Sequence, residues 1–259
     1  MLKVENVYKT FGGVNALKGI SLEVKQGTVV GLIGPNGSGK STLFQVICGF
    51  HSKDSGHITF QGKPIDGLPS HRIAALGLSR TFQIPQVARR MTVMENMLIG
   101  PLGQIGENPF NVFFRWPACR RQEAVLRERA EELLFLVGLS HLRDEYAGSV
   151  PGGQLKLLSL AQALMNDGDL ILLDEPTAGV DLALTDRIIE HLRQIHQQGK
   201  TLFIVEHRMR VISGICQYVY VLDAGEVIAS GEPMAVQNNP KVIEAYLGSK
   251  SIGNVTREL

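Results

Sequence analysis

Cysteine is scarce in this chain of 259 residues: only Cys48, Cys119 and Cys216 occur, far apart and with no C-x-x-C pair. That argues against a disulfide framework and against a zinc site built on paired thiolates, and it points to a reducing, cytosolic compartment. Long apolar runs are missing too. No uncharged stretch approaches the roughly 20 residues needed to cross a bilayer, and the opening Met1-Leu2-Lys3-Val4-Glu5-Asn6 lacks the apolar core of a signal peptide. If such a chain serves a membrane, it is expected to do so through a partner. Nor is there a surplus of one charge: 26 basic residues stand against 25 acidic ones, a formal net charge of +1. No global field therefore directs it to nucleic acid or acidic lipid. Internal repeats, heptads and low-complexity tracts are absent.

What the chain does contain is the loop Gly34-Pro35-Asn36-Gly37-Ser38-Gly39-Lys40-Ser41, followed by Thr42. It fits the pattern G-x-x-x-x-G-K-[ST], and its surroundings fit as well. Residues 28–33 form a short apolar run, as a buried strand should, and residues 42–49 read as an amphipathic helix closed by glycine. Glycines let the backbone wrap closely, so that successive N–H groups point at phosphate oxygens. The following helix presents its positive end to the same anion. Lys40 is placed to neutralise β- and γ-phosphates, and the Ser41 hydroxyl to ligate Mg²⁺. The loop reads as a nucleotide phosphate site.

Further chemistry sits at strand ends. Leu170-Ile171-Leu172-Leu173 is the continuous apolar run of a buried parallel strand, and it ends in Asp174-Glu175. Ligands bind at the carboxyl end of such a strand. Asp174 suits a Mg²⁺ shell, and Glu175 can take a proton from a water attacking a γ-phosphate. Residues 201–205 read as another buried strand, with His207 just past its end, facing the ligand. Gly152-Gly153-Gln154 opens a helix and serves either as a simple cap or as an anion site. Phe11, before Gly12-Gly13, reads on its own as a packed core ring rather than a base-stacking one. Gln83, after a strand at 78–81, is a polar probe of a phosphate site or merely a solvated glutamine. Residues 101–117 read as irregular. Residues 120–137 read as a helix, and the arginines in and just before it (Arg115, Arg120, Arg121, Arg127 and Arg129) contact phosphates or lipid headgroups, or form a solvated face; the interleaved glutamates favour the solvated face. Strand and helix alternate around a parallel core, an α/β class. The expected nucleotide-binding core spans 1–83 and 166–248, a helical subdomain is inserted at 84–165, and a polar tail follows at 249–259.

In this order the landmarks resemble the ATP-binding subunits of ABC transporters: Phe11 at the adenine-stacking position, the phosphate loop, Gln83 at the Q-loop, Gly152-Gly153-Gln154 at the signature, 170–175 at the Walker B strand, Ala178-Gly179-Val180-Asp181 at the D-loop and His207 at the switch. The resemblance implies a P-loop NTPase core with an N-terminal antiparallel β subdomain and the helical insertion. It also implies two subunits closing head to tail on ATP and Mg²⁺, each ATP meeting one subunit's phosphate loop and the other's Gly152-Gly153-Gln154 and Asp181. Glu175 would polarise water, His207 would contact the γ-phosphate, and Gln83 would sense Mg²⁺, with Ser41 and Asp174 as the other ligands. A membrane permease would dock on the insertion, placing the chain on the cytoplasmic face of the inner membrane.

Within that family the chain looks most like the larger ATPase subunit of importers for branched-chain and other hydrophobic amino acids. This rests on Ser79-Arg80-Thr81-Phe82-Gln83, Met91-Thr92-Val93-Met94-Glu95-Asn96, Glu206-His207-Arg208-Met209 and the ending Asn239-Pro240…Glu244-Ala245-Tyr246-Leu247-Gly248. A paralogous second ATPase subunit and an extracytoplasmic solute-binding protein would complete the assembly. The signature departs from the usual Leu-Ser-Gly-Gly-Gln, because Val150-Pro151 replaces Leu-Ser and removes the hydroxyl offered to a γ-phosphate. Gln162 stands where an arginine is common. The alternatives are the energy subunit of a lipid or lipopolysaccharide exporter, and a soluble ATPase acting on DNA or the ribosome. The latter predicts paired cassettes, coiled-coil arms or a basic face.

Overall fold

The structure, a computed structural model, describes residues 1–81 and 84–248. Gln83 and the polar tail at 249–259 therefore lie outside the described residues. The strands are β1 (Leu2–Phe11), β2 (Val14–Val24), β3 (Val29–Ile33), β4 (Ser55–Phe60), β5 (Lys63–Pro64), β6 (Leu78–Arg80), β7 (Leu170–Asp174), β8 (Thr201–Val205), β9 (Tyr218–Asp223) and β10 (Glu226–Gly231). The α-helices are α1 (Lys40–Ile47), α2 (Ser70–Ala75), α3 (Val93–Ile99), α4 (Pro109–Phe114), α5 (Trp116–Leu136), α6 (Gly152–Leu164), α7 (Leu182–Gln197), α8 (Met209–Ile215), α9 (Pro233–Gln237) and α10 (Pro240–Gly248). They fall into two compact units. Among the described residues, 1–80, 169–176 and 192–248 form the first, and 81–168 with 177–191 the second.

The first unit holds both sheets. One runs β10-β9-β3-β8-β7-β6, with β3 parallel to β8 and β9, and β7 parallel to β6 and β8. Every residue of β3, β7 and β8 is buried, which is why these stretches are unbroken apolar runs instead of alternating ones. The other sheet, β2-β1-β4-β5, is antiparallel and alternates, with Leu17, Ile20, Leu22 and Val24 of β2 buried between exposed neighbours. A single core cluster joins residues of both sheets through α1, where Phe44 meets Phe203 of β8 at a ring distance of 5.0 Å. The sheet order sets three chain crossings side by side, because β3, β8 and β7 are neighbours whose carboxyl ends all point the same way.

The second unit is helical among its described residues. α3, α5 and α6 pack on one another, with Val93, Met97, Leu133, Leu134, Leu157 and Leu158 buried. The helix α3 starts in a capping box, its N-cap Thr92 hydroxyl accepting from the Glu95 N–H while Glu95 accepts from the Thr92 N–H. Two expectations are corrected here. Residues 101–117 are not wholly irregular: they carry α4 and the start of α5. Asn108 Oδ1 caps the Phe110 N–H at 3.0 Å, and prolines 109 and 117 fall in first turns, where a missing N–H costs nothing. The first hairpin is also longer than the strands at 2–8 and 20–24 that the alternation of residues predicts, since β1 and β2 run on to Gly12 (φ 50°) and Gly13 (φ 88°), which form a tight two-residue turn between them. α8 and α9 have too few residues to show a helical period and were not anticipated.

Candidate functional site

The loop after β3 turns on glycines that no other residue can replace. A Cβ on Gly34 (φ 149°) would stand 2.0 Å from the Leu222 carbonyl oxygen, and one on Gly39 (φ 105°) 2.6 Å from that of Ala16. Gly39 is also the N-cap of α1 and supplies no side-chain cap, so the first N–H groups of α1 are not claimed by a capping side chain. That is the donor arrangement a phosphate oxygen requires. Lys40 lies in the first turn and is 5% exposed. Its ammonium donates to the carbonyls of Gly34 (2.9 Å) and Pro35 (2.8 Å) and to Ser38 Oγ (3.2 Å). Burial lowers the Lys40 pKa, while the nearby carboxylates of Glu175 and Asp174 pull it back up. Asn36, Gly37 and Ser41 are exposed and Thr42 is half-buried, so the loop's rim is open.

The carboxylates stand at the end of β7. Asp174 is 3% exposed and is held by Arg80 of the adjacent β6, with Nη2 to Oδ2 at 2.9 Å. Burial raises its pKa, and Arg80 and Lys40 only partly offset this. Glu175 has φ 49°, a left-handed backbone that costs a non-glycine residue energy and turns the chain sharply off the strand. Its N–H still bonds the Val205 carbonyl at 3.0 Å, and its Oε1 lies 2.7 Å from His207 Nε2. His207 follows β8 and is fixed from behind, because the buried Glu206 accepts the His207 N–H through Oε2 at 3.1 Å. Lys40, Asp174, Glu175 and His207, picked from three separate stretches of sequence, thus belong to adjacent carboxyl ends of one sheet. The donors on offer to a cation, the Ser41 hydroxyl and the Asp174 carboxylate, are oxygens, as a hard ion such as Mg²⁺ prefers. Among the described residues no cluster of three or more His, Cys, Asp or Glu could hold a metal alone, so the remaining ligands would come from substrate and water.

The other candidates are placed differently. Phe11 ends β1 and is 41% exposed, contrary to the core ring read from the residue alone. It forms a T-shaped pair with His51, ring centroids 5.2 Å apart, and Lys9 Nζ lies 5.1 Å from its centroid. Gly152, Gly153 and Gln154 open α6 in the second unit, behind an exposed Pro151 at the N-cap. A Cβ on Gly153 would come within 2.5 Å of Leu184 Cδ2. Asp181 caps α7, its Oδ1 accepting from the Leu184 N–H at 2.8 Å. Lys156 donates to the Ala178 carbonyl. Gln162 Nε2 donates to the Asn96 carbonyl at 2.9 Å, tying α6 to α3. Two residues escaped attention as parts of the site: Arg80, whose signal was a cation ending a buried strand, and Tyr246, a half-buried tyrosine whose pKa desolvation pushes up to about 12 beside the Gly34 backbone. Burial also pushes the thiols of Cys48 and Cys216 up, to about 11 and about 12, which leaves them inert.

Comparison with known proteins agrees with this geometry. The family model described as ABC transporter matches residues 17–178, and the one described as branched-chain amino acid ATP-binding cassette transporter matches residues 226–250. The chain is 41% identical over 251 residues to the probable branched-chain amino acid transport ATP-binding protein LivG of Archaeoglobus fulgidus, with 96% of each chain covered. A nucleotide-free ATP-binding cassette from an ABC transporter superposes with a TM-score of 0.83 at 39% identity, over 98% of this chain and 99% of that one. A dimeric cassette in a post-hydrolysis state with ADP and Pi gives 0.76 at 26% identity, over 90% and 99%.

Proposed function

The chain belongs to the ATP-binding, ATP-hydrolysing subunits of ABC transporters, and from that premise we propose that it powers uptake of branched-chain and similar hydrophobic amino acids through a separate membrane permease. The observation that carries the chemistry is the convergence of Lys40, Asp174, Glu175 and His207 on neighbouring strand ends of one sheet. ATP is the substrate. Its phosphates would lie along the N–H groups from Gly37 to Thr42, with the Lys40 ammonium against the β- and γ-oxygens and the Phe11 ring beside the base. Ser41, Asp174 and Gln83 would hold Mg²⁺, which when bound neutralises phosphate charge. Glu175 would take one proton from a water whose oxygen attacks the γ-phosphorus as the bond to ADP breaks. The Glu175–His207 contact at 2.7 Å holds both side chains ready; for His207 to meet a γ-phosphate, that contact has to open.

The same reading assigns Gly152, Gly153, Gln154 and Asp181 to the ATP held by a second ATPase subunit, a paralogue of this chain. Backbone N–H groups would do there what the missing serine hydroxyl does elsewhere. The permease, together with an extracytoplasmic solute-binding protein, chooses the solute, and the chain sits peripherally on the cytoplasmic side of the membrane. No described helix is long and apolar enough to cross it. The amino-acid assignment draws its support from the family match at 226–250 and the name of the Archaeoglobus relative. Its test is leucine, isoleucine and valine uptake by proteoliposomes carrying the permease, both ATPase subunits and the binding protein. ATP-dependent accumulation is expected. Brisk hydrolysis with no transport of any of the three would remove the amino-acid assignment and leave the ATPase standing.

A further inference from the structure

We propose that residues 109–121 form a lipid-contacting surface that seats this chain on an anionic phospholipid bilayer. Phe110, Phe113 and Phe114 are 74%, 86% and 81% exposed, and Trp116 is 55% exposed. The three phenylalanines stand at i, i+3 and i+4 of α4, which puts them on one side of that helix. α4 is bound to the start of α5 by local hydrogen bonds: the Arg115 and Cys119 N–H groups donate to the carbonyls of Asn111 and Arg115. The rings are therefore presented by a short, hydrogen-bonded helical elbow. Together they expose on the order of 600 Å² of aromatic surface, the size at which a patch marks a contact rather than chance.

Charge indicates what covers it. Between Glu107 and Glu123 the sequence has no acidic residue and three arginines, Arg115, Arg120 and Arg121. Further along α5 the arginines are matched, Arg127 with Glu123 at 3.7 Å and Arg129 with Glu132 at 3.2 Å. Among the described residues Arg115, Arg120 and Arg121 form no ion pair and are exposed. The helix is thus not uniformly the solvated face that its glutamates suggest. The aromatic segment is therefore locally basic in a chain whose charges otherwise nearly cancel. Phenylalanines flanked by tryptophan and unpaired arginines are what the headgroup boundary of an anionic leaflet accepts: rings enter the acyl region, and indole and guanidinium stay among the phosphates.

This goes beyond the transport reading and depends on it only in placing the chain at a membrane. Trp116 is the one tryptophan in the sequence, so the intact chain reports on itself. With vesicles of 30% phosphatidylglycerol in phosphatidylcholine, Trp116 emission is expected to shift to shorter wavelength and to be quenched by brominated acyl chains; with pure phosphatidylcholine it is not. Arg115→Gln/Arg120→Gln/Arg121→Gln is expected to weaken binding on the order of 100-fold, about fivefold per arginine. Phe110→Ser/Phe113→Ser/Phe114→Ser is expected to weaken it at least tenfold. Both variants should keep wild-type ATP hydrolysis and melting temperature. Three outcomes would overturn the proposal: no response to anionic vesicles at low salt, equal binding by the serine variant, or a Trp116 shift that needs the permease in lipid-free detergent, which would make the surface a protein contact. Hydrolysis is scored separately, so failure here and failure of the ATPase reading are told apart.

Discussion

Lys40 carries its ammonium into surroundings that disfavour a charge. Its ammonium is buried among neutral carbonyls, so its pKa lies below the usual 10.5 even with Glu175 and Asp174 nearby. The charged form is disfavoured in the folded chain. That cost to stability is fully present below the folded pKa and is relieved as pH rises through it toward 10.5. A triphosphate held as proposed would reverse the preference by supplying negative charge beside the ammonium. Nucleotide affinity should therefore be level where Lys40 is charged with or without ligand, and should fall as pH rises through the depressed value of the free loop. Between the depressed value and 10.5 binding should take up a proton, which calorimetry in two buffers of different ionisation heat will register. Affinity that stays flat up to pH 10.5 with no proton uptake would mean that Lys40 does not face the phosphates. Asp174 is perturbed upward for the same physical reason, and Arg80 only partly restores it. Sequence reading found Lys40 and Asp174 because a phosphate loop and an acidic strand end are written in consecutive residues. It gave Arg80 no role in the site, because its partner is 94 positions away.

At the scale of elements, the second unit depends on a residue that sequence reading used only as a subfamily marker. Asn96 of α3 is 1% exposed. Its amide nitrogen reaches the carbonyls of Ala88 (3.0 Å), Met91 (3.3 Å) and Thr92 (2.8 Å), and its oxygen accepts the Ala88 N–H at 2.8 Å. The three carbonyls also accept backbone N–H groups, from Met91, Ala147 and Asn96 respectively, so what rests on this side chain is the Ala88 N–H and the anchoring of an irregular stretch to α3. Asn96→Ala should strand the Ala88 N–H and cost about 2 kcal/mol, seen as a lower denaturant midpoint and as faster amide exchange at residues 88–96. A loss below about 0.5 kcal/mol would show that water replaces the amide. The neighbouring stretch explains what pattern reading misses. Glycine, proline and asparagine at 101–117 looked like a loop, yet Asn108 and prolines 109 and 117 are the residues that start helices when they occupy cap and first-turn positions. Composition could not tell a breaker from a cap. Strands β3, β7 and β8 were legible within a residue at each end, because complete burial leaves an uninterrupted apolar run. Their pairing was not, since β6 pairs with β7 through Ser79 and Ile171, and nothing local announces so distant a partner.

For the whole molecule, the arrangement of charge predicts when two cassettes stay closed. Asp174 and Glu175 sit at the strand end that would face ATP, and phosphates brought there meet carboxylates already short of water. On the proposed function, closure of a second subunit over the site would add that subunit's backbone donors equivalent to Gly152 and Gly153 and offset the repulsion; cleavage and phosphate release would restore it. Glu175→Gln removes one negative charge and the proton acceptor together, while the amide keeps the shape and can still meet His207. Hydrolysis is therefore expected to fall by about 10³, the range lost with a general base, and nucleotide affinity to stay within a few-fold of wild type. Because ATP then persists, the variant mixed with its cassette partner should run at the mass of a pair by light scattering whenever ATP is present, whereas the wild type should do so only transiently. A variant that hydrolyses at the wild-type rate would place the base elsewhere. One that loses hydrolysis yet never pairs would separate the carboxylate's chemistry from closure, and the electrostatic account of the power stroke would have to be given up while the assignment of the base stood.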